Sequence, residues 1–214
     1  MVRSLANDLK FEVHTVLLGD GRLKTQFAQY SVVHELLPGA DLETRTIQLV
    51  RQLVDSGIRH AVVNTTVSGL FAKALAEQGI TCVSLIHEMP GVIQSNNLGE
   101  HARSIAASAH RVVFPARIVE EGFESFARVH PEQCAIRPQG LWRRNLCRFR
   151  KDQVRAEVRS RLGVAHSAPL ILAVGYADRR KGVDLFVRAA LTVLSHKPDA
   201  LFVWIGHWDE DLRR

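Results

Sequence analysis

The chain has 214 residues, 46% of them hydrophobic and 23% charged, with a formal net charge of +6. That composition supports packed cores in one large domain or two small ones and excludes a low-complexity chain. No apolar run approaches the roughly 20 residues that span a bilayer. The polar N-terminus MVRSLANDLKF lacks the pattern of a signal peptide. Three widely spaced cysteines (Cys82, Cys134 and Cys147) match neither a disulfide framework nor a zinc site, and suit a reducing, cytoplasmic compartment.

Residues 1–9 read as the end of a helix. Residues 11–18 (FEVHTVLL) form a strand stopped by Gly19, Asp20 and Gly21. A short helix over 23–29 and a small strand over 31–36 follow. Asp41 caps a helix whose apolar residues are Leu42, Ile47, Leu49, Val50, Leu53 and Val54, and Gly57 ends it. Residues 61–63 are a strand with Asn64, Thr65 and Thr66 at its end. Ser68 caps the next helix, with Leu70, Phe71, Ala74 and Leu75 on its apolar face, and Gly79 stops it. Residues 81–86 are a buried strand leading into His87, Glu88, Met89, Pro90 and Gly91. A helix over 98–109, a strand over 111–114, a helix over 116–128 and a short strand over 134–137 lead to Pro138, Gln139, Gly140 and Leu141. A basic helix over 151–162 ends at Gly163. Alternating strands and helices predict an α/β fold of Rossmann-like parallel sheets. The domain junction falls at 138–141, which gives one domain over 1–140 and a second over 141–214.

The most informative stretch closes the chain. Residues 170–174 (LILAV) end at Gly175 and read as a buried parallel strand. Val183, Phe186, Val187, Ala190, Leu191 and Leu194 make one apolar helical stripe. Lys197, Pro198 and Asp199 break that helix, and residues 201–205 form a strand stopped by Gly206. Together these elements make a βαβ unit. Arg179, Arg180 and Lys181 precede the helix N-terminus, which carries free N–H groups and partial positive charge of its own. Gly175 and Gly182 let backbone approach a ligand. A phosphate would satisfy the N–H groups and the cations together, at the strand end where open α/β sheets bind ligands. The alternative is a basic loop that simply faces water.

The pattern G-x-x-x-x-x-K-G-V-D-L from Gly175 to Leu185, with its apolar helix, P-x-A and I-G, resembles the donor-site start of retaining glycosyltransferases of family 4, the glycosyl transferases group 1 type. The resemblance implies the GT-B fold, with two Rossmann-like domains facing across a cleft. It also implies transfer of a sugar from a nucleotide-diphosphate donor to an acceptor hydroxyl with retention of configuration. Lys181 matches the family's diphosphate-gripping lysine. The family's arginine, directly after the first glycine, is Tyr176 here, which leaves Arg179 or Arg180 to supply the second cation. By the same resemblance, 1–140 is the acceptor-side domain without its first strand. Residues 141–214 are then the incomplete start of the nucleotide-sugar-binding domain, because the family's nucleotide-recognition region and paired glutamates lie beyond it. The rival reading is an inactive remnant or a non-catalytic binding module with a Rossmann-like core. Either way the strands at 170–174 and 201–205 are expected to expose apolar surface.

Other candidates weigh less. His87 either acts catalytically, orienting or activating a hydroxyl near neutral pH, or is satisfied by local backbone. Glu88 either contacts a sugar or faces water. Asn64, Thr65, Thr66 and Ser68 either bind acceptor hydroxyls or cap a helix. Pro138, Gln139 and Gly140 resemble the family's Pro-x-Gly donor loop, or form a plain turn. Arg143 and Arg144 face either a cleft or solvent. His207 and Trp208 follow the I-G step, where the family approaches the donor. The basic excess over 137–161 admits a phosphorylated donor, the anionic inner face of a membrane, or nucleic acid. The absence of zinc-finger spacing and of an aromatic RNA-binding signature weighs against nucleic acid. Neither G-x-G-x-x-G nor a P-loop occurs, and no Cys/His/Asp cluster has metal spacing. No cofactor and no metal are therefore expected; the nucleotide sugar is the substrate, and its acceptor (a saccharide, a lipid-linked sugar or a protein) is open.

Overall fold

The computed structural model describes residues 1–140 and 145–210; Leu141, Trp142, Arg143 and Arg144 lie outside the described residues, and with them the expectation for the two arginines. The chain divides into two compact units, Met1–Gly140 and Leu141–Arg214.

The first unit is built on β3 (His60–Asn64), β4 (Thr81–Leu85), β5 (Arg111–Phe114) and β6 (Cys134–Ile136), all parallel and paired in chain order. The crossovers are α4 (Gly69–Glu77), α5 (Pro90–Ser95) with α6 (Gly99–Ser108), and α7 (Arg117–Glu124). Before them come α1 (Val2–Asn7), β1 (His14–Leu17), α2 (Lys24–Phe27), β2 (Val32–Glu35) and α3 (Leu42–Asp55). β1 and β2 form a parallel pair of their own.

Helix α5 was not expected from the sequence. Pro90 and Gly91 read as a break, but Pro90 is the first helical residue, where its missing N–H costs nothing. Two further expectations are corrected. Asp41 and Ser68 stand at the N-cap positions of α3 and α4 but make no side-chain cap. Asp41 is left-handed (φ 56°), and the Ser68 hydroxyl donates back to the Asn64 carbonyl at 2.8 Å.

Two apolar clusters hold this unit. Val50 and Leu53 of α3 and Ala72 and Leu75 of α4 close over Val63 and Cys82. Ile93, Ala102, Ile105, Val119 and Phe123 pack with Ile86, Val112 and Phe114. Burying each large side chain contributes about 1.5–3 kcal/mol. The Phe114 and Phe123 rings meet at 5.5 Å, tilted by 59°. Close helix packing depends on absent side chains. A Cβ on Gly69 would lie 2.2 Å from the His101 carbonyl oxygen, and one on Gly122 would lie 2.6 Å from Pro90 Cγ. Cys134 donates its thiol to Glu120 Oε1 at 2.8 Å. Burial first, and then this carboxylate, push that thiol up to about 12, so it is inert.

The second unit contains α8 (Lys151–Arg161), β7 (Leu170–Val174), α9 (Val183–Leu194) and β8 (Leu201–Ile205), with β7 and β8 parallel. Phe186 of α9 sets its ring edge-on to Phe202 and Trp204, at 5.3 and 5.4 Å. Arg159 is buried and donates through Nη1 to the carbonyls of Ala165 (2.6 Å) and Ala168 (2.8 Å), fastening the loop after α8. Much apolar surface stays open here, as the sequence predicts. Val174 is 76% exposed and Leu191 68%, and of the α9 stripe only Val183 is fully buried. No helix of the described residues is long and apolar enough to cross a membrane.

Candidate functional site

The candidates of the first unit collect at the carboxyl ends of β3, β4 and β6. His87 lies two residues beyond β4. Its Nε2 is 2.8 Å from Asn64 Oδ1, at the end of β3, and its Nδ1 is 2.7 Å from Gln139 Nε2, just after β6. An amide oxygen only accepts and an amide nitrogen only donates. His87 therefore carries its proton on Nε2, and its Nδ1 is the acceptor. Three strand ends thus orient one imidazole, and neither ring nitrogen is open to a hydroxyl until a neighbour moves. Gln139 is exposed and can move; His87 is half-buried.

Glu88 faces the protein. Its Oε2 accepts from the Thr66 hydroxyl (2.9 Å), the Thr66 amide (3.1 Å) and the His87 amide (3.2 Å). Thr66 is fully buried, so the carboxylate satisfies donors that water cannot reach. Thr65 shows what this geometry costs. It sits at φ 70°, a rare conformation for a β-branched residue, worth about 1–3 kcal/mol of strain. Its own amide donates to the Leu85 carbonyl at 2.9 Å, and the strained turn delivers Thr66 to Glu88. Gly140 is exposed, and a Cβ there would meet nothing within 4 Å, so packing among the described residues does not demand glycine.

In the second unit the turn after β7 is more ordered than its charge suggests. Arg179–Lys181 form a 3-10 turn started by Asp178, whose Oδ1 accepts from the Lys181 amide at 2.7 Å. Asp178 Oδ2 also lies 3.5 Å from Arg180 Nη2. The sequence reading passed over Asp178, although Asp three residues before a backbone donor is a known capping signal. The two arginines differ in their surroundings: Arg180 lies within reach of Asp178, while Arg179 and Lys181 are exposed with no side-chain partner among the described residues. Gly182 is left-handed at φ 72° and opens α9. Gly175 lies beneath the Lys181 stem, where a Cβ would be 3.9 Å from Lys181 Cδ and Cε.

The β7–β8 pairing continues past both strands. Gly175 N–H donates to the Ile205 carbonyl (2.9 Å), Ala177 N–H to the His207 carbonyl (2.8 Å), and Trp204 Nε1–H to the Gly175 carbonyl (2.8 Å). A Cβ on Gly206 would sit 1.9 Å from that carbonyl oxygen. The structure therefore sets Gly206, His207 and Trp208 beside the basic turn. Two open surface depressions, one lined by His110, Arg111, His130, Glu132 and Gln133 and one around Cys134, touch none of the candidate residues. Among the described residues, no three His, Cys, Asp or Glu side chains converge to hold a metal ion.

Several solved structures superimpose on this chain, among them one protein with UDP bound and a glycosyltransferase. HepE of Anabaena, crystallised with UDP, superimposes on 99% of this chain with a TM-score of 0.76 at 14% identity. The same protein with UDP and glucose gives 0.73 at 15%. A glycosyltransferase from Rickettsia africae gives 0.66 over 99% of the chain at 11% identity. This chain has the Rossmann-like, GT-B type α/β fold. It spans 58% of the HepE chain and 64% of the Rickettsia one. No family model matches the sequence, and no curated protein matches it either.

Proposed function

We propose that this chain serves a glycosyltransferase of the retaining, group 1 type, which moves a sugar from a nucleotide-diphosphate donor to an acceptor hydroxyl. The observation that carries the reading is the Gly175–Gly182 turn, with two unpartnered cations at a strand's carboxyl end, in a fold whose solved examples include HepE with UDP and UDP-glucose. On this reading the second unit holds the donor and the first serves the acceptor. Lys181 and Arg179 grip the diphosphate, with Arg180 held back by Asp178. Gly175 and Gly182 leave room for the phosphates to approach backbone. Charge grows on the diphosphate as the sugar departs, and fixed cations beside helix N–H groups stabilise it. His87 offers Nδ1 to a hydroxyl once the Gln139 amide gives way. Thr65 and Gly140 line the same strand-end region, and Glu88 keeps it in shape. Three unpaired cysteines suit a reducing cytoplasmic compartment.

The test is calorimetric titration of the protein with UDP and UDP-glucose. Charge-assisted hydrogen bonds contribute about 1.5–3 kcal/mol, so Lys181→Ala is expected to weaken UDP binding by roughly 10- to 150-fold. Arg179→Ala is expected to cost more than Arg180→Ala. Wild-type affinity in Lys181→Ala, or no saturable binding of UDP or UDP-glucose by the wild type, would remove the diphosphate assignment.

A further inference from the structure

The start of the second unit carries a feature that donor binding does not use. Phe149 is 94% exposed and Leu146 84%, the most open large apolar side chains among the described residues. They lie on consecutive turns: Arg148 N–H donates to the Asn145 carbonyl at 3.4 Å and Arg150 N–H to the Cys147 carbonyl at 3.0 Å. In such tight turns residues three apart stand on the same side, which sets Leu146 beside Phe149. Arg148 and Arg150 flank the phenylalanine and are exposed, in the short 3-10 segment Arg148–Arg150. Helix α8 follows with a second stripe of cations and apolar side chains. Lys151, Arg155, Val158 and Leu162 recur at helical spacing along one stripe, all of them exposed. Asp152 and Glu157 fall on the flanks of that stripe, and Glu157 accepts from Gln153 at 2.9 Å.

An isolated exposed apolar residue needs no explanation. Here a phenylalanine and a leucine stand among Arg148 and Arg150, and the helix that follows in the chain adds Lys151 and Arg155 with Val158 and Leu162 on a stripe of its own. Aromatic and aliphatic tips among cations complement one kind of surface: an anionic bilayer, whose headgroups take the cations and whose acyl boundary takes the tips. Nucleic acid would use the cations and could stack on Phe149, but it offers nothing to Leu146, Val158 or Leu162. We propose that residues 146–162 form a peripheral docking surface for a membrane rich in anionic phospholipid. This goes beyond the donor reading, and its test needs no sugar.

The experiment is co-sedimentation of the full chain with vesicles of phosphatidylcholine alone and with vesicles of phosphatidylcholine and phosphatidylglycerol in equal parts. Binding is expected to the anionic vesicles, with only weak binding to the neutral ones, and to fall as salt rises. Each cation near an anionic surface is worth about fivefold in partitioning, so Arg148→Gln with Arg150→Gln is expected to lose about 25-fold. Leu146→Ser with Phe149→Ser removes the inserted tips and is expected to lose about tenfold, with the salt dependence retained. Both sites are fully exposed, so the variants keep the fold, which circular dichroism checks. Equal binding to both vesicle types overturns the proposal. So does anionic-vesicle binding unchanged in the Leu146/Phe149 variant, no vesicle binding at all, or binding only to a single-stranded oligonucleotide.

Discussion

Glu88 is read here as an internal latch, and Glu88→Ala tests that directly. The substitution leaves the Thr66 hydroxyl and amide without an acceptor, and Thr66 is fully buried. Each stranded buried donor costs about 1–3 kcal/mol. The His87 amide adds less, since His87 is only half-buried and water can reach it. The first unit should therefore lose about 3 kcal/mol. With a urea m-value of about 2 kcal/mol per molar, its unfolding midpoint should fall by roughly 1.5 M. Glu88→Gln keeps an acceptor oxygen but loses the charge, so its cost should be about 1 kcal/mol. Adding Thr66→Val to Glu88→Ala removes the orphaned hydroxyl and should recover part of the loss, a coupling that a double-mutant cycle measures. Amide exchange at Thr66 reads the same bond locally and should accelerate in Glu88→Ala. A midpoint shift below about 0.3 M in Glu88→Ala, with Thr66 exchange unchanged, would refute the latch and leave the carboxylate free for a ligand.

Two further predictions concern other parts of the fold. His34 stacks on His14 at 5.2 Å, with Nε2 2.9 Å from His14 Nδ1, while Glu12 Oε1 lies 3.3 Å from His14 Nε2. Burial first, and then the His14 charge, hold His34 below its usual 6.5. The folded state thus binds fewer protons than the unfolded one. Its contribution to stability is complete above pH 6.5 and declines as pH falls through 6.5 toward the lowered value. The urea midpoint should therefore drop between neutral and mildly acid pH, and His34→Phe should flatten that part of the profile. Gly206→Ala places a methyl 1.9 Å from the Gly175 carbonyl oxygen, at φ 152°. It should break the pairing that continues beyond β7 and β8, destabilise the second unit by more than about 2 kcal/mol, and abolish the tryptophan environment set by the Trp204–Gly175 bond, as read by fluorescence.

The sequence reveals the elements better than their contacts. The apolar run LILAV and the stripe from Val183 to Leu194 locate β7 and α9 to the residue, because an unbroken apolar run and a helical period are local properties, although no residue of β7 is fully buried. The Gly175–Gly182 turn is legible for the same reason. Pro90 is harder, since one residue type marks both a break and a helix start, and only the packing of Gly122 against Pro90 decides between them. The bond from His87 to Gln139 joins residues 52 apart, and the one from Glu88 to Thr66 joins residues 22 apart. No local pattern encodes those distances; they follow from parallel strands of one sheet bringing their carboxyl ends to one edge, with β5 lying between β4 and β6. Asp178 carries a local signal, because its cap is made to the amide three residues on, inside a run of cations.

The two strand-end regions differ in a way that bears on which one binds the charged ligand. After β4 the polar groups satisfy each other: Asn64, His87 and Gln139 form one chain of bonds, and Glu88 with Thr66 forms another. A ligand there must displace an existing bond, so net gain is small and the region discriminates more than it attracts. After β7 the Lys181 amide is satisfied by Asp178, but the Lys181 and Arg179 side chains are exposed with no side-chain partner among the described residues. A bound dianion would engage Lys181 and Arg179 without first breaking a side-chain bond that the described residues make to them. If the proposed donor reading holds, affinity for a diphosphate is expected in the second unit and selection of the accepting hydroxyl in the first. The signature of that division is that His87→Ala leaves UDP affinity intact, whereas Lys181→Ala weakens it by roughly 10- to 150-fold.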